Sequence, residues 1–265
     1  MAPAFASAKT RRRVNTEPAL VVLPDPQVLG RHVADWVLQQ VLGTPAPVAI
    51  ALSGGSTPTV TYRRFAESDF APRFPWPRVH WFWGDERFVP HDHPRSNFRL
   101  AWDSFLSRLP VAHENIHSVP TEQITPDAAA AAYEAELRRF YGANALSPDR
   151  PLLHINLLGL GPDGHFASLF PGSPALEERT RWTAVTMDQS EPRITLTYPA
   201  LESARHAAFL VSGSEKAAML PKLLARDTAL PASRFRPHGD YCIFADGAAA
   251  ANAAKTSAPS GGTIA

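Results

Sequence analysis

The sequence predicts an α/β fold with a mostly parallel, doubly wound sheet and helices on both of its faces. Short apolar runs typical of buried strands alternate along the chain with segments of helical periodicity. Runs such as PVAIALS (47–53) are apolar almost throughout, which is typical of parallel strands covered on both sides. In such sheets ligands bind where strands end and helices begin.

The predicted elements follow one another in the order that this fold requires. Residues 26–42 place valine, leucine and tryptophan side chains on one helical face, and Pro58 suits the first turn of a helix after the strand at 47–53. The other predicted strands are RVHWFW (78–83), LLHINLL (152–158), RWTAV (181–185), RITLTY (193–198), HAAFLVSG (206–213) and YCIFA (241–245). The other predicted helices cover residues 96–106, 126–141 and 214 to about 224.

Length and composition indicate one globular domain between two tails. The chain has 265 residues, of which 45% are hydrophobic and 19% are charged, which is enough to bury a sizeable core. We predict a single domain over residues 19–254 and disordered tails over residues 1–18 and 255–265. The arginine triplet at residues 11–13 has no apolar segment after it, so the first tail does not resemble an export signal. An organelle transit peptide stays open as a second interpretation.

Charge and cysteine content restrict the partners. With a formal net charge of +1, no overall field favours nucleic acid or an acidic membrane, and the arginine triplet is interpreted as solvated. No apolar run approaches the roughly 20 residues that span a bilayer. The single cysteine, Cys242, excludes an internal disulfide, suits a reducing cytosol and lies in an apolar run as a core residue would. We expect a cytoplasmic monomer or small homo-oligomer with a small-molecule ligand.

Four loops after predicted strands carry polar residues to one edge of the sheet: SGGST (53–57), GDER (84–87), GPDGH (161–165) and SGSEK (212–216). SGGST precedes a helix, and its glycines let backbone N–H groups face an anion at the positive end of the helix dipole. A plain turn capped by serine or threonine explains SGGST equally well, and a solvated surface lysine explains Lys216. The phosphate donors predicted here are Ser53, Gly54, Gly55, Ser56 and Thr57, with Lys216 as a point charge.

The glycines at 159, 161 and 164 form a G-x-G-x-x-G after a strand, which is the pattern of a dinucleotide-binding loop. That function needs a long helix after the glycines and an acidic residue roughly 20 positions further on. Pro171 and Pro174 would end any helix within about two turns. The nearest acids, Glu177 and Glu178, do not stand at a plausible strand end. The sequence therefore predicts no nicotinamide cofactor.

His165 ends the GPDGH turn and is the candidate for proton transfer, because imidazole is the side chain best matched to that role near neutral pH. Asp163 would orient the ring or contact ligand hydroxyls. The structural alternative is a histidine that merely caps a turn. His91-x-His93 resembles a metal pair, but no further ligand completes it, and no G-x-S-x-G is present. No metal site is predicted.

The motifs that carry a family resemblance are ALSGGSTP, WFWGDERFVP with SNFRLAWDSFL, LLGLGPDGHFASLFPG, PRITLTYPAL and VSGSEKAAML. Together they resemble the glucosamine-6-phosphate isomerase/6-phosphogluconolactonase family over residues 20–250. The resemblance implies a Rossmann-like three-layer α/β/α domain. Deaminases of this family carry an Asn-Glu-Pro after the histidine, whereas residues 166–171 here contain no acid, and they have tyrosine where this chain has Arg87. The chain therefore resembles the lactonases, although they usually have threonine at the position of Phe166.

That resemblance implies cofactor-free hydrolysis of 6-phospho-D-glucono-1,5-lactone to 6-phosphogluconate, a step of the oxidative pentose phosphate pathway. For this reaction His165 is the candidate general base for water, and Arg87 or glycine-loop N–H groups would lie near the developing oxyanion. Binding of the remote phosphate would orient the carbonyl group. The residues expected to bind phosphate or sugar hydroxyls beyond SGGST are Lys216, Arg193, Asp85 and Asp163.

The four polar loops by themselves are also compatible with two other functions. One is a deaminase or isomerase acting on an amino-sugar phosphate, which the missing glutamate disfavours. The other is a non-catalytic sensor that would bind 6-phosphogluconate without turnover.

Overall fold

The computed structural model of the chain describes residues 18–45, 47–189 and 191–253. Apart from Pro18, the two predicted tails and the arginine triplet lie outside the described residues. The strands within them are β1 (Ala19–Leu23), β2 (Val48–Leu52), β3 (Val79–Trp83), β4 (Asp85–Arg87), β5 (Leu153–Gly159), β6 (Thr183–Asp188), β7 (Glu191–Leu196), β8 (Ala204–Val211) and β9 (Asp240–Asp246). The α-helices are α1 (Pro26–Leu42), α2 (Ser56–Phe65), α3 (Asn97–Ser104), α4 (Pro126–Tyr141), α5 (Tyr198–Glu202) and α6 (Met219–Leu224).

The main sheet of the described residues is parallel throughout, in the order β1–β9–β8–β5–β2–β3. From β2 the chain passes to β3 on one side, and it later returns to β5 on the other side of β2. Such a reversal is the topological switch point at which open α/β sheets bind their ligands. The loops that leave β2 and β5 are SGGST and GPDGH, so the fold makes neighbours of these two loops.

Helices cover both faces of this sheet, which confirms the predicted three layers. On β3, Trp81 packs against Phe65 of α2 with ring centroids 6.1 Å apart, whereas Phe82 packs against Phe140 of α4 at 5.0 Å. Successive side chains of a strand point to opposite faces. Therefore α2 and α4 lie on opposite sides of the sheet.

The two long helices, α1 and α4, begin and end where the sequence predicts. The Asp25 carboxylate accepts a hydrogen bond from the Val28 N–H at 2.8 Å, and the Thr125 hydroxyl accepts one from the Ala128 N–H at 3.3 Å. Each helix has a proline in its first turn, where a missing N–H costs nothing. No helix in the described part of the chain combines the length and apolar character needed to cross a bilayer.

Three features add to or change the predicted elements. Strand β7 pairs antiparallel with β6 on one side and with β4 on the other, in a separate small sheet, as the alternating pattern of β6 and β7 allows. Strand β1 was not predicted and lies at the edge of the main sheet beside β9. The helix predicted from residue 214 is divided into a 3₁₀ turn, Ser214–Lys216, and α6. Pro221 has no N–H to donate, so it is tolerated only in the first turn of a restarted helix.

His154 on β5 makes stability depend on pH. Its Nδ1 accepts a hydrogen bond from the Ala49 N–H of β2 at 3.0 Å. Burial, followed by the charges of Arg205 and His206, lowers the pKa of His154 to about 4. Because the pKa in the unfolded chain is higher, at about 6.5, the neutral ring stabilises the fold fully above that pH. This stabilisation is lost as the pH falls from about 6.5 towards 4.

We expect the free energy of unfolding to fall by about 2 kcal/mol more between pH 7 and pH 5 in the wild type than in His154→Gln. Glutamine still offers an acceptor for the Ala49 N–H but does not titrate. Urea unfolding at both pH values measures the difference. Parallel losses in the two proteins would contradict this role of His154.

Candidate active site

A cleft of about 200 Å³ lies at the carboxyl edge of the main sheet, beside the switch point between β2 and β5. Of the predicted site residues, those that line it are Ser53, Gly54, Gly55, Asp85, Arg87, His165, Arg193 and Lys216. The side chains of Ser56 and Thr57 lie at the start of α2 outside this lining, and Asp163 lies behind His165. A larger, shallower groove of about 670 Å³ between α2 and α3 contains none of the residues that line the cleft.

The imidazole of His165 is held by Asp163. One oxygen of this carboxylate lies 2.5 Å from the ring Nδ1 and accepts the His165 backbone N–H at 3.1 Å. Burial alone would raise the pKa of Asp163, but these hydrogen bonds and the charge of an imidazolium hold it below its usual value. The ionised carboxylate therefore keeps the proton on Nδ1, and Nε2 carries the lone pair of the neutral ring. No group among the described residues hydrogen-bonds to Nε2.

Gly161 allows the ring to lie against the backbone. A Cβ atom at this position would stand 2.1 Å from Nδ1 of His165, so any other residue would displace the imidazole. Phe166, where lactonases usually have threonine, is fully buried and packs against Tyr198, Phe209 and Phe235. Its ring belongs to the core, whereas the imidazole contacts Asp163, the Gly161 backbone and the ring of Phe170, whose centroid lies 4.7 Å away.

The SGGST loop forms an open helix N-terminus and not a capped turn. The residue before α2 is Gly55, and no side chain caps the helix. The hydroxyl of Tyr62 accepts the Ser53 N–H at 2.9 Å and donates to the Ser53 carbonyl at 2.8 Å. Burial raises the pKa of Tyr62, so this hydroxyl keeps its proton. The Ser53 Oγ is buried and has no partner within the described residues, which leaves it for a ligand.

The two acids of GDER have different roles because a strand alternates its faces. Asp85 faces the cleft and accepts a hydrogen bond from the Ser168 hydroxyl at 2.6 Å. Glu86 is buried on the other side, where its carboxylate accepts the N–H groups of Asn97 and Phe98 at 2.7 Å each. Burial raises the pKa of Glu86 despite these bonds. Glu86 thus anchors the N-terminus of α3 next to the cleft.

Two arginines face each other across the β4–β7 ladder, where Arg87 is paired with Arg193. Like charges placed directly opposite repel, so this pair is an attractive position for an anion. The Nε atoms of both side chains are buried without a partner in the described part of the chain. Arg193 is held from behind by ion pairs with Asp188 and, at 3.8 Å, with Glu191. Arg87, which has no ion-pair partner among the described residues, therefore supplies the uncompensated positive charge on this wall of the cleft.

Lys216 reaches the cleft from the SGSEK turn. Asp246 shapes this turn, since its carboxylate accepts the Ser212 hydroxyl at 2.6 Å and the N–H of Gly213 at 3.1 Å. The lysine is half-buried at the end of the 3₁₀ turn and has no ion-pair partner among the described residues. An unpaired ammonium group in a cleft is suited to an anionic ligand.

The histidines of the possible metal pair have other partners. The Nε2 of His91 lies 2.8 Å from the Val119 carbonyl, and its ring stacks on Phe98 with centroids 4.4 Å apart. The Nδ1 of His93 accepts the Arg95 N–H at 3.1 Å. In residues 18–45, 47–189 and 191–253, no cluster of three or more His, Cys, Asp or Glu side chains is arranged to hold a metal ion.

Asn97 is the residue with a polar side chain in the cleft lining that sequence reasoning did not select. It is the first residue of α3, it is buried, and its amide donates to the Asp85 carbonyl at 2.8 Å. The sequence predicts a helix start at Ser96-Asn97 and places the two residues in the family motif SNFRLAWDSFL, but neither pattern assigns Asn97 to the site. The available signal is that Asn97 follows a capping serine within that motif.

Comparison with known proteins shows which family the chain belongs to. The family model for glucosamine-6-phosphate isomerases/6-phosphogluconolactonase matches residues 24–244. The chain belongs to this family. A 6-phosphogluconolactonase from Nostoc sp. is 39% identical over 236 residues, which cover 87% of this chain and 96% of that protein. The 6-phosphogluconolactonase of Homo sapiens is 36% identical over 246 residues, 88% of this chain and 93% of that protein.

Solved structures of family members share the fold. The 6-phosphogluconolactonase from Thermotoga maritima superposes with a TM-score of 0.74 at 30% identity, over 87% of this chain and 100% of that one. The enzyme from Trypanosoma brucei gives 0.76 at 29% identity, over 89% and 99%. A monomeric glucosamine-6-phosphate deaminase, at 20% identity and a TM-score of 0.76, shares the fold alone. The predicted family resemblance and fold class are thereby confirmed.

Proposed function

We propose that this chain hydrolyses 6-phospho-D-glucono-1,5-lactone to 6-phosphogluconate, as a step of the oxidative pentose phosphate pathway. The observation that carries the proposal is the position of His165. Its Nδ1 is bound to Asp163, its Nε2 is free to accept a proton, and it lines the same cleft as Arg87, Arg193 and Lys216. A general base beside three cations is the arrangement that ester hydrolysis of an anionic substrate requires.

In the proposed reaction, water attacks the carbonyl carbon of the lactone while Nε2 of His165 takes one of its protons. The carbonyl oxygen becomes an oxyanion, which Arg87 or the backbone N–H groups of the glycine loop stabilise. Collapse breaks the bond between this carbon and the ring oxygen, and the imidazolium returns its proton to the leaving alkoxide. The ionised carboxylate of Asp163 stabilises the imidazolium in between.

The phosphate of the substrate binds at the SGGST loop in this proposal. The uncapped N–H groups at the start of α2 and the free hydroxyl of Ser53 are donors, and Lys216 and Arg193 supply charge. Ser56 and Thr57 take part through their backbone, because their side chains do not line the cleft. Asp85 accepts hydrogen bonds from sugar hydroxyls, whereas Asp163 does not line the cleft and acts by holding His165. Binding the remote phosphate orients the carbonyl towards His165.

The cellular setting belongs to the same proposal. We place the protein in the cytoplasm as a monomer or small homo-oligomer that acts on a sugar phosphate and does not bind nucleic acid. A deaminase function is less well supported, because residues 166–171 carry no acid and only Ala167 among them lines the cleft. A non-catalytic sensor is also less well supported. Binding alone does not require a histidine whose Nδ1 is bound to a carboxylate so that its Nε2 can accept a proton.

The function is tested with freshly prepared 6-phospholactone in a pH-stat, corrected for spontaneous hydrolysis. We expect a kcat/KM above about 10⁴ M⁻¹ s⁻¹ and no turnover of glucosamine 6-phosphate. Dialysis against a strong chelator should leave the rate unchanged, and zinc, magnesium or nicotinamide nucleotides should not raise it. Binding of 6-phosphogluconate without turnover would instead identify a sensor. Loss of activity on chelation, with recovery on zinc, would overturn the histidine mechanism and direct attention to His91 and His93.

A further inference from the structure

We infer that Asn97 is a positioning residue that couples the phosphate-binding end of the cleft to the end that holds the sugar. The inference rests on the proposed function and assigns a role to a residue that the reaction scheme does not use. Asn97 lies between the SGGST loop and strand β4 and contacts both. Its role is to hold the two ends at one separation, so that a ligand spanning both binds better than its parts.

The orientation of the Asn97 amide follows from its partners. Its Nδ2 donates to the Asp85 carbonyl oxygen at 2.8 Å, and the Asp85 carboxylate lies 3.4 Å from the same nitrogen. A carbonyl oxygen only accepts, so the amide nitrogen must be the atom on this side. The Oδ1 therefore faces the other way, towards the SGGST loop. Asn97 thus contacts the candidate sugar-binding carboxylate with one atom and the candidate phosphate loop with the other.

The contact with the SGGST loop is close enough to set the position of the loop. A Cβ atom at Gly54 would stand 1.9 Å from the Oδ1 of Asn97, so the amide rests directly on the glycine backbone. Any larger residue at position 54 would push the amide and the loop apart. Asn97 consequently acts as a spacer between Gly54 and Asp85.

The spacer is itself anchored. Asn97 is only 2% exposed, and its backbone N–H is held at 2.7 Å by the buried Glu86 carboxylate, which also accepts from Phe98. Strand β4 therefore holds both the backbone and the side chain of Asn97. The Oδ1 has no hydrogen-bond partner among the described residues. A buried acceptor without a partner costs free energy, so this atom does not contribute to stability, and a role in the site accounts for its position.

Asn97→Ala tests this inference, because alanine removes the spacer while Glu86 can still hold the backbone. Three probes separate the ends of the cleft: inorganic phosphate occupies the phosphate loop alone, glucono-1,5-lactone uses the sugar end alone, and 6-phospholactone spans both. We expect kcat/KM for 6-phospholactone to fall about tenfold, as for one lost hydrogen bond. Inhibition by inorganic phosphate and kcat/KM for glucono-lactone should each stay within about twofold.

The matched control is Ser96→Ala. Ser96 caps the same helix through the Arg99 N–H and donates to Glu86, but it does not line the cleft. It should change none of the three probes by more than about twofold. Where turnover of glucono-lactone is too slow to measure, its inhibition of the 6-phospholactone reaction reports the sugar end.

Several outcomes would overturn the role of Asn97. If inhibition by inorganic phosphate or kcat/KM for glucono-lactone fell as much as kcat/KM for 6-phospholactone, the substitution would have damaged that end of the cleft locally. If kcat/KM for 6-phospholactone did not change, Asn97 would have no role. The same losses in Ser96→Ala would mean that the helix alone is responsible. Each of these requires an active wild type, whereas an inactive wild type would refute the lactonase function itself. The two proposals therefore fail separately.

Discussion

Replacing His165 with alanine is expected to lower kcat for 6-phospholactone by at least about a hundredfold while KM stays within a few-fold. The imidazole would act on the water in the transition state and contributes little to holding the substrate, so its loss affects the chemical step. In the structure Nδ1 is bound to Asp163, and Nε2 has no hydrogen-bond partner among the described residues. Steady-state kinetics with correction for spontaneous hydrolysis measures the change.

The control for this prediction is His113→Ala, since His113 is an exposed histidine on a 3₁₀ turn away from the cleft. It should retain the wild-type kcat. Asp163→Asn should fall between the two, because the amide keeps the shape but lacks the charge that stabilises an imidazolium. If His165→Ala keeps the wild-type kcat, the histidine is only a turn residue and another group must activate the water.

The second large effect is expected from the phosphate. Glucono-1,5-lactone should be a poor substrate, and Lys216→Ala should raise KM for 6-phospholactone about tenfold to a hundredfold with kcat within a few-fold. One hydrogen bond to a charged group is worth about 1.5–3 kcal/mol, which corresponds to this range. The same variant should leave the reaction of glucono-lactone nearly unchanged, since that substrate has no phosphate to lose.

Lys222→Ala is the matched control, because Lys222 is exposed on the neighbouring helix α6 and does not line the cleft. It should not change KM for either lactone. Similar kcat/KM values for the two lactones in the wild type would show that the SGGST loop does not bind phosphate. In that case Lys216 would not bind the phosphate group of the substrate.

Elements whose determinants are local were predicted well. The caps at Asp25 and Thr125, each followed by proline, define α1 and α4 within a few residues of sequence. The five residues of β2 are all buried, as their unbroken apolar run predicts. The sequence also indicated that the loops after the strands share one edge, because parallel strands all end on the same side.

The tertiary structure decided which of these residues meet. Arg87 faces Arg193 only because β4 and β7 leave the main sheet to pair with each other, over a separation of about a hundred residues that no local pattern reveals. The place of Asn97 between Gly54 and Asp85 likewise depends on where α3 docks.

Caps, periodicity and motifs act over short distances, so the family, the α/β layers and the loops that carry the chemistry were predictable from the amino-acid sequence. The contacts that shape the cleft depend on strand pairing and helix packing between segments far apart in the chain. Only the folded protein could decide those.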